Sequence, residues 1–279
     1  MRLHVGCAMW THTAWQGRQL AQGERLRWYA TWCNAVEGNT TFYATPSRRT
    51  VESWAAQSDP EFRFVIKLPK PITHERRLIG ADEALRSFRT SMEPLGERIH
   101  ALWVQLPSSF GPTDLGALAG FLRQLPAAYR PAVEVRHPAF FADQQAAHRL
   151  EYVLSRVGAE WIPFDTTVLF GGPPTSAGEQ EAAAKKPRLP RRMRALTEYP
   201  IVRYHGRDDI ARTVEGWQQW VGVVTEWLRE GRSPTVFLHT PDNAEALGLA
   251  RLFHDQVRAR LPELDPLPEP TPTEPMTLF

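Results

Sequence analysis

The stretch NAVEGNTTFYATP (residues 34–46) starts as an apolar run and then presents Glu37, Asn39, Thr40, Thr41 and Tyr43 before Pro46. Other apolar runs close in the same way. Lys67 ends one and is followed by Thr73 and His74; Gln105 ends the next. Glu134, Arg136 and His137 follow, then Asp165, then Arg203 with His205, and finally His239 with Asn243. Brought to one place, opposite charges in a low-dielectric cleft displace each other's pKa values, which is how side chains are tuned for acid–base work. On this reading Glu37 or Glu134 is the general base and His205 or His74 the partner acid. Asn39, Thr41, Tyr43, Lys67, Gln105, Arg136, Asp165, Arg203 and Asn243 would then line a substrate pocket. Its arginines and lysine would hold a carboxylate or phosphate, which guanidinium groups do in bidentate fashion.

Each residue also has a plainer use. Glu134 with Arg136 or Arg203 reads equally as an internal salt bridge, since a buried carboxylate needs a partner. Tyr43 could pack a loop, and His74 could hydrogen-bond within the turn LPKPITH. A divalent-metal variant would gather Glu37, Glu134, Asp165 and His205, as on other barrels. HExxH, CxxC and GxSxG are absent, as are GxGxxG and GxxxxGK[ST], so no nucleotide cofactor is expected.

The elements that must position these groups recur along the chain. Apolar or β-branched runs at 3–7, 34–38, 62–68, 101–106, 132–136, 160–164, 201–206 and 235–240 read as buried strands, because their apolar residues are continuous. Helical patterns fill the gaps at 24–33, 49–57, 82–98, 114–125, 145–158, 215–231 and 242–261, the last with Asp242 placed as N-cap. Strands alternating with helices in this way predict an α/β fold, a TIM-type (β/α)8 barrel in one domain over residues 1–261, with an open doubly wound sheet as the alternative. In a barrel all the strand ends open on one face, which is where the polar groups would meet.

Two segments stand outside the alternation. Residues 171–195, after the sixth strand, carry Lys185, Lys186, Arg188, Arg191, Arg192 and Arg194. A flexible, lid-like loop is the preferred reading, with nucleic-acid binding through phosphates as the alternative. Residues 262–279 are rich in Pro and Glu and predict an extended, mobile tail.

The formal charge of +2 over 279 residues gives no bulk argument for nucleic acid or a membrane surface. Two cysteines, Cys7 and Cys33, are too few for a disulfide framework and are expected at opposite ends of adjacent strands. The N-terminal residues lack the apolar core of an export signal, so a cytoplasmic protein is expected. Nothing in the sequence indicates an oligomeric state.

GCAMWTHTAW (6–15), FRFVIKLPKPITHERRL (62–78), AVEVRHPAF (132–140), PIVRYHGRDD (200–209) and VFLHTPDNAEALGLAR (236–251), with the opening stretch, resemble the YecE-like family, also called domain of unknown function 72. The resemblance spans most of the chain in order. It implies a TIM-type barrel and supplies no reaction. The chain departs from the family pattern in EGNTTFY where EiNsTFY is usual, in HTPDN where an asparagine pair often stands, and in the length of 171–195. The residues themselves predict an enzyme of hydrolase, lyase or isomerase type acting on a small anionic or sugar-like substrate. A non-catalytic ligand sensor or scaffold is the competing reading.

Overall fold

The structure is a computed structural model that describes residues 2–16, 20–126 and 128–270. Among the described residues nine strand segments form in chain order: β1 (His4–Cys7), β2 (Ala35–Gly38), β3 (Arg63–Lys67), β4 (Ile99–Gln105), β5 (Pro131–Glu134), β6 (Glu160–Trp161), β7 (Phe164–Asp165), β8 (Ile201–His205) and β9 (Thr235–His239). All pair in parallel, in two sheets ordered β1-β9-β8-β7 and β2-β3-β4-β5-β6. The fold is thus α/β with parallel sheets. The eight uninterrupted strands of the sequence reading become two sheets because two junctions lack an ordinary ladder.

At the first junction the expected sixth strand is broken at Ile162-Pro163. Ile162 N–H donates to the Val133 carbonyl (2.9 Å), while the Pro163 carbonyl accepts from Arg203 N–H (3.0 Å). Proline has no N–H to give, so the chain leaves the β5 side and joins the β8 side there. At the second junction side chains take over. Asn34 accepts from Val5 N–H (2.8 Å) and donates to the Leu3 carbonyl (2.9 Å). The Tyr29 hydroxyl accepts from Cys7 N–H (2.8 Å) and donates to the Ala35 carbonyl (2.9 Å). Gly6 permits this closeness, since a Cβ there would lie 2.0 Å from the Ala35 carbonyl oxygen.

Strand side chains alternate between two faces. One face meets the helices in the main core, where Arg48–Ala56, Asp82–Met92, Leu115–Gln124, Gln144–Ser155, Gln218–Arg229 and Ala246–Arg260 pack their apolar stripes. The other face forms a second, smaller cluster of Ala35, Val65, Ala101, Trp103, Ala132, Ile162, Ile201 and Phe237, drawn from both sheets. Trp103 and Phe237 stack across it at 6.2 Å. Two residues further along the same strands come Glu37, Lys67, Gln105, Glu134, Arg203 and His239, all buried. The polar layer therefore sits directly on the inner apolar one.

Several expectations change. Asp242 does not cap the last helix: its carboxylate accepts from Ala244 N–H (2.9 Å), Asn243 turns into the left-handed region (φ 61°), and the helix begins at Ala246. Residues 171–195 are not a loose loop, for they contain the helix Ala177–Lys185, capped when Ser176 Oγ accepts from Glu179 N–H (3.0 Å). The first part of the tail is seated rather than free, with Leu264 and Leu267 buried and the Pro268 carbonyl accepting from Arg251 (2.8 Å); residues 271–279 lie outside the described residues. The Cys7 and Cys33 thiols are free and buried, and they meet beside Tyr29 instead of lying at opposite ends. No helix among the described residues is long and apolar enough to cross a membrane.

Candidate functional site

Glu37, at the end of β2, is the hub of the polar layer. It is fully buried and its carboxylate meets Lys67 Nζ at 2.5 Å, Arg203 Nη2 at 3.1 Å and His239 Nε2 at 2.9 Å. Burial alone would raise this carboxyl, but Arg203, Lys67 and His239 outweigh burial and hold it well below the usual range. Glu134 answers it from β5. Its Oε1 accepts from Arg136 Nε (2.7 Å), and Arg136 Nη2 lies 2.6 Å from the same oxygen as an ion pair. Its Oε2 and Arg203 Nη1 stand 3.5 Å apart, both buried and neither with a hydrogen bond among the described residues. Burial opposes ionisation of Glu134 too, and Arg136, Arg203 and Lys67 reverse it, leaving the carboxyl low. The cations rest on aromatic faces as well: Lys67 Nζ lies 4.6 Å from the Trp103 ring and the Arg203 guanidinium 4.5 Å from Phe164.

Above this layer opens a cavity of about 260 Å³, lined by Asn39, Lys186, Arg203, His205, His239 and Asn243 among others. His205 Nδ1–H donates to the Gly206 carbonyl (3.1 Å), which leaves the Nε2 lone pair as the ring's reactive position. Burial, and then His239, push its pKa well below the ordinary value, so the imidazole is neutral at neutral pH. Burial likewise takes His239 down to about 4. Lys67 falls to about 8 through burial and Arg203, although Glu37 and Glu134 pull it upward. Asn39 Oδ1 accepts from Lys67 Nζ (3.1 Å) and fixes its direction.

The roof of the cavity comes from residues 171–195. Glu179 is buried and accepts from Arg207 Nε (3.0 Å), Thr175 N–H (2.7 Å) and Asp208 N–H (3.1 Å), which clamps the helix Ala177–Lys185 over the strand ends. Lys186, directly after that helix, lines the cavity. Burial and Arg203 lower it to about 8, and no carboxylate among the described residues pairs with it. From sequence it belongs to a basic run, with nothing to separate it from its neighbours. The only local signal was the Ser176-x-x-Glu179 spacing, which marks a helix start.

The remaining candidates fall elsewhere. Asp165 does not enter the cavity: its oxygens accept from Arg191 Nε (2.7 Å), Trp220 Nε1 (2.6 Å) and Thr167 N–H (2.9 Å). Thr41 Oγ1 pins the ends of β2 and β3, 2.7 Å from the Gly38 carbonyl and 2.6 Å from that of Lys67. Tyr43 is exposed and packs edge-on against Phe42. His74 is hydrogen-bonded to Thr73 Oγ1 (2.9 Å), lies against Phe42, and is lowered to about 4 by burial and Arg136. Gln105 is buried on β4 in register with Glu134. Among the described residues no three His, Cys, Asp or Glu side chains converge as metal ligands. The set Glu37, Glu134, Asp165 and His205 therefore does not fit a divalent ion, since arginine or lysine already occupies its carboxylates. The basic run is largely spent internally too: Arg191 on Asp165, and Arg192 and Arg194 on Glu151 (2.8 and 2.9 Å).

Comparison with known proteins agrees with this architecture. Residues 4–275 match the family described as protein of unknown function DUF72. The UPF0759 protein YecE of Escherichia coli, in strains O157:H7 and K12, is 35% identical over 266 residues, covering 95% of this chain and 96% of that protein. Two crystal structures of a DUF72 family protein from Enterococcus faecalis V583 superpose with TM-scores of 0.66 and 0.64 at 18% identity. They cover 94% and 98% of this chain, and 98% and 100% of theirs, so the fold is shared across the whole domain. By the family match and the identity to YecE together, the chain belongs to the DUF72 family.

Proposed function

We propose that the chain is a TIM-type barrel enzyme of the cytoplasm that binds a small anionic or sugar-like molecule at the mouth formed by its strand ends, and performs acid–base chemistry on it. One observation carries this reading. Lys67, Arg136, Arg203 and Lys186 gather around Glu37 and Glu134, and Glu181 at the cavity wall is paired with Lys185, so these groups hold more positive than negative charge, and no carboxylate among the described residues forms an ion pair with Lys186. An excess of buried cation is stabilised by an incoming anion. Barrel closure is supported by the two junctions, one crossed by continuous backbone and the other by Tyr29 and Asn34.

The geometry favours other acid–base roles than the carboxylates. Glu37 and Glu134 are ionised, depressed and bridged by cations, which makes them poor bases; they position Lys67, Arg203 and Arg136. His205, neutral and with no hydrogen bond to Nε2 among the described residues, is the base. Lys186, an ammonium at neutral pH, is the acid and the anion's first contact. Both are lowered by burial, yet at neutral pH Lys186 still holds its proton and His205 does not, which is the difference such a pair requires. An anion bound between them would raise the low His205 pKa toward neutrality, improving its basicity where substrate is present. Arg203 and the Asn243 amide complete the anion's surroundings.

The test is thermal unfolding against a panel of carboxylates and sugar phosphates. Saturation at a hundredfold over Kd contributes about 2.7 kcal/mol, or roughly 5–10 °C for a chain of this size. Lys186→Met should abolish most of that shift, while His205→Gln should keep it and lose turnover. A panel without any response, or an equal response in Lys186→Met, would sink the proposal.

A further inference from the structure

A second, larger cavity of about 680 Å³ joins the mouth, sharing Ala8, Met9 and Asn39 with it. Its lining is neither aliphatic nor strongly charged. Trp10 stands edge-to-face against Trp54 at 5.1 Å, and Thr11, Ser47, Ser53 and Gln57 line the cleft with them. Gln57 is 8% exposed; its Nε2 donates to the Ser53 carbonyl (3.1 Å) and Oγ (3.0 Å), while Oε1 is buried without a hydrogen-bond partner among the described residues. A buried carbonyl of this kind favours a ligand that brings a donor to it.

We infer that this cleft holds the uncharged sugar rings of an acidic saccharide whose acid group occupies the mouth. The inference rests on the anion-binding reading of the mouth and extends it to a substrate class. A pyranose ring has an apolar C–H face and a rim of hydroxyls. An indole beside hydroxyls and an amide matches both, whereas an acyl chain needs a dry aliphatic groove and a nucleotide needs backbone donors for its phosphates. The combined space also exceeds what a single acid group with one ring requires, since cavities of a few hundred Å³ upward enclose drug-sized molecules.

The experiment is titration calorimetry with sulfate, with glucuronate and with a panel of uronic-acid-terminated disaccharides. Sulfate probes the mouth alone. At least one disaccharide should bind about tenfold more tightly than glucuronate, one added ring being worth roughly one stacking contact and a hydrogen bond. Trp10→Ala should erase that gain and leave sulfate affinity unchanged. Gln57→Leu, which spares the aromatic packing, should do the same and guards against a folding defect in Trp10→Ala. The cleft inference falls if no disaccharide exceeds glucuronate while sulfate still binds, or if the gain survives both variants. Loss of sulfate binding in the parent protein overturns the anion reading of the mouth, and the saccharide with it.

Discussion

Replacing Glu37 by Gln keeps the shape of the hub and removes its charge. Lys67 and Arg203, 2% and 4% exposed, are then left as buried cations facing an amide. Removing one partner of a buried ion pair costs about 3–5 kcal/mol, because the other charge is stranded. At roughly 2–4 °C per kcal/mol for a domain of this size, the midpoint should drop by about 6–20 °C. Lys67 can escape part of the penalty by giving up its proton, and that escape makes the loss depend on pH.

In the parent protein Lys67 sits at about 8, below its ordinary 10.5. Between those values the unfolded chain carries the proton and the folded one does not, so stability rises with pH across that window. Glu37 is one of the groups that raise Lys67. Without it the folded pKa falls further and the rising limb starts at lower pH. The gap between parent and variant should therefore be widest in mildly acidic solution and narrow toward pH 8, by at most about 1.4 kcal/mol per pH unit. Above that both proteins climb together and the gap stays constant. Urea unfolding followed by tryptophan fluorescence from about pH 6 to 9 reads this directly. A gap below about 1 kcal/mol, as for an exposed ion pair, or one that ignores pH, would refute the buried-hub account.

Other expectations follow from the same coordinates. Sulfate, whose charge is constant, should bind more weakly as pH rises through about 8, where Lys67 and Lys186 lose their protons; calorimetry with a flat profile would contradict their part in anion binding. Asp165→Ala should cost about 1–3 kcal/mol by freeing Arg191 and Trp220, yet leave sulfate affinity within about twofold, since Asp165 stands outside the cavity. Tyr29→Phe removes the hydroxyl shared by Cys7 N–H and the Ala35 carbonyl, and should destabilise by about 1–3 kcal/mol in urea melts without altering ligand binding.

Strand positions were legible because a buried parallel strand needs a continuous apolar run, and each run named from sequence overlaps a strand. The gathering of Glu37, Lys67, Glu134, Arg203, His205 and His239 followed from that alone: residues ending parallel strands must share one side of the sheet. What was not legible depends on three-dimensional accounting. Asp165 also ends a strand, but helix Gln218–Arg229 brings Trp220, and the segment 171–195 brings Arg191, to claim its oxygens first. The break at Pro163 was visible as a proline, yet its carbonyl's service to the other sheet is a tertiary fact. Leu264 and Leu267 were hidden by their proline-rich surroundings, since composition does not say that two leucines will find a groove.

The segment 171–195 has the larger consequence. The strand ends that meet in the polar layer supply two carboxylates and the cations Lys67, Arg136 and Arg203, most of whose charge is spent on those carboxylates. Such a layer can be stable without any ligand, because its pairs satisfy one another. Lys186 changes that balance: it adds an ammonium that no carboxylate among the described residues pairs with directly, and Glu179 and Arg207 hold the preceding helix that places it over the mouth. Breaking that clamp with Glu179→Gln should weaken anion binding as Lys186→Met does, although Glu179 is not among the side chains lining the cavity. On the proposed reading the parallel strands thus prepare the field, and residues 171–195 leave it a positive charge for an anion to complete.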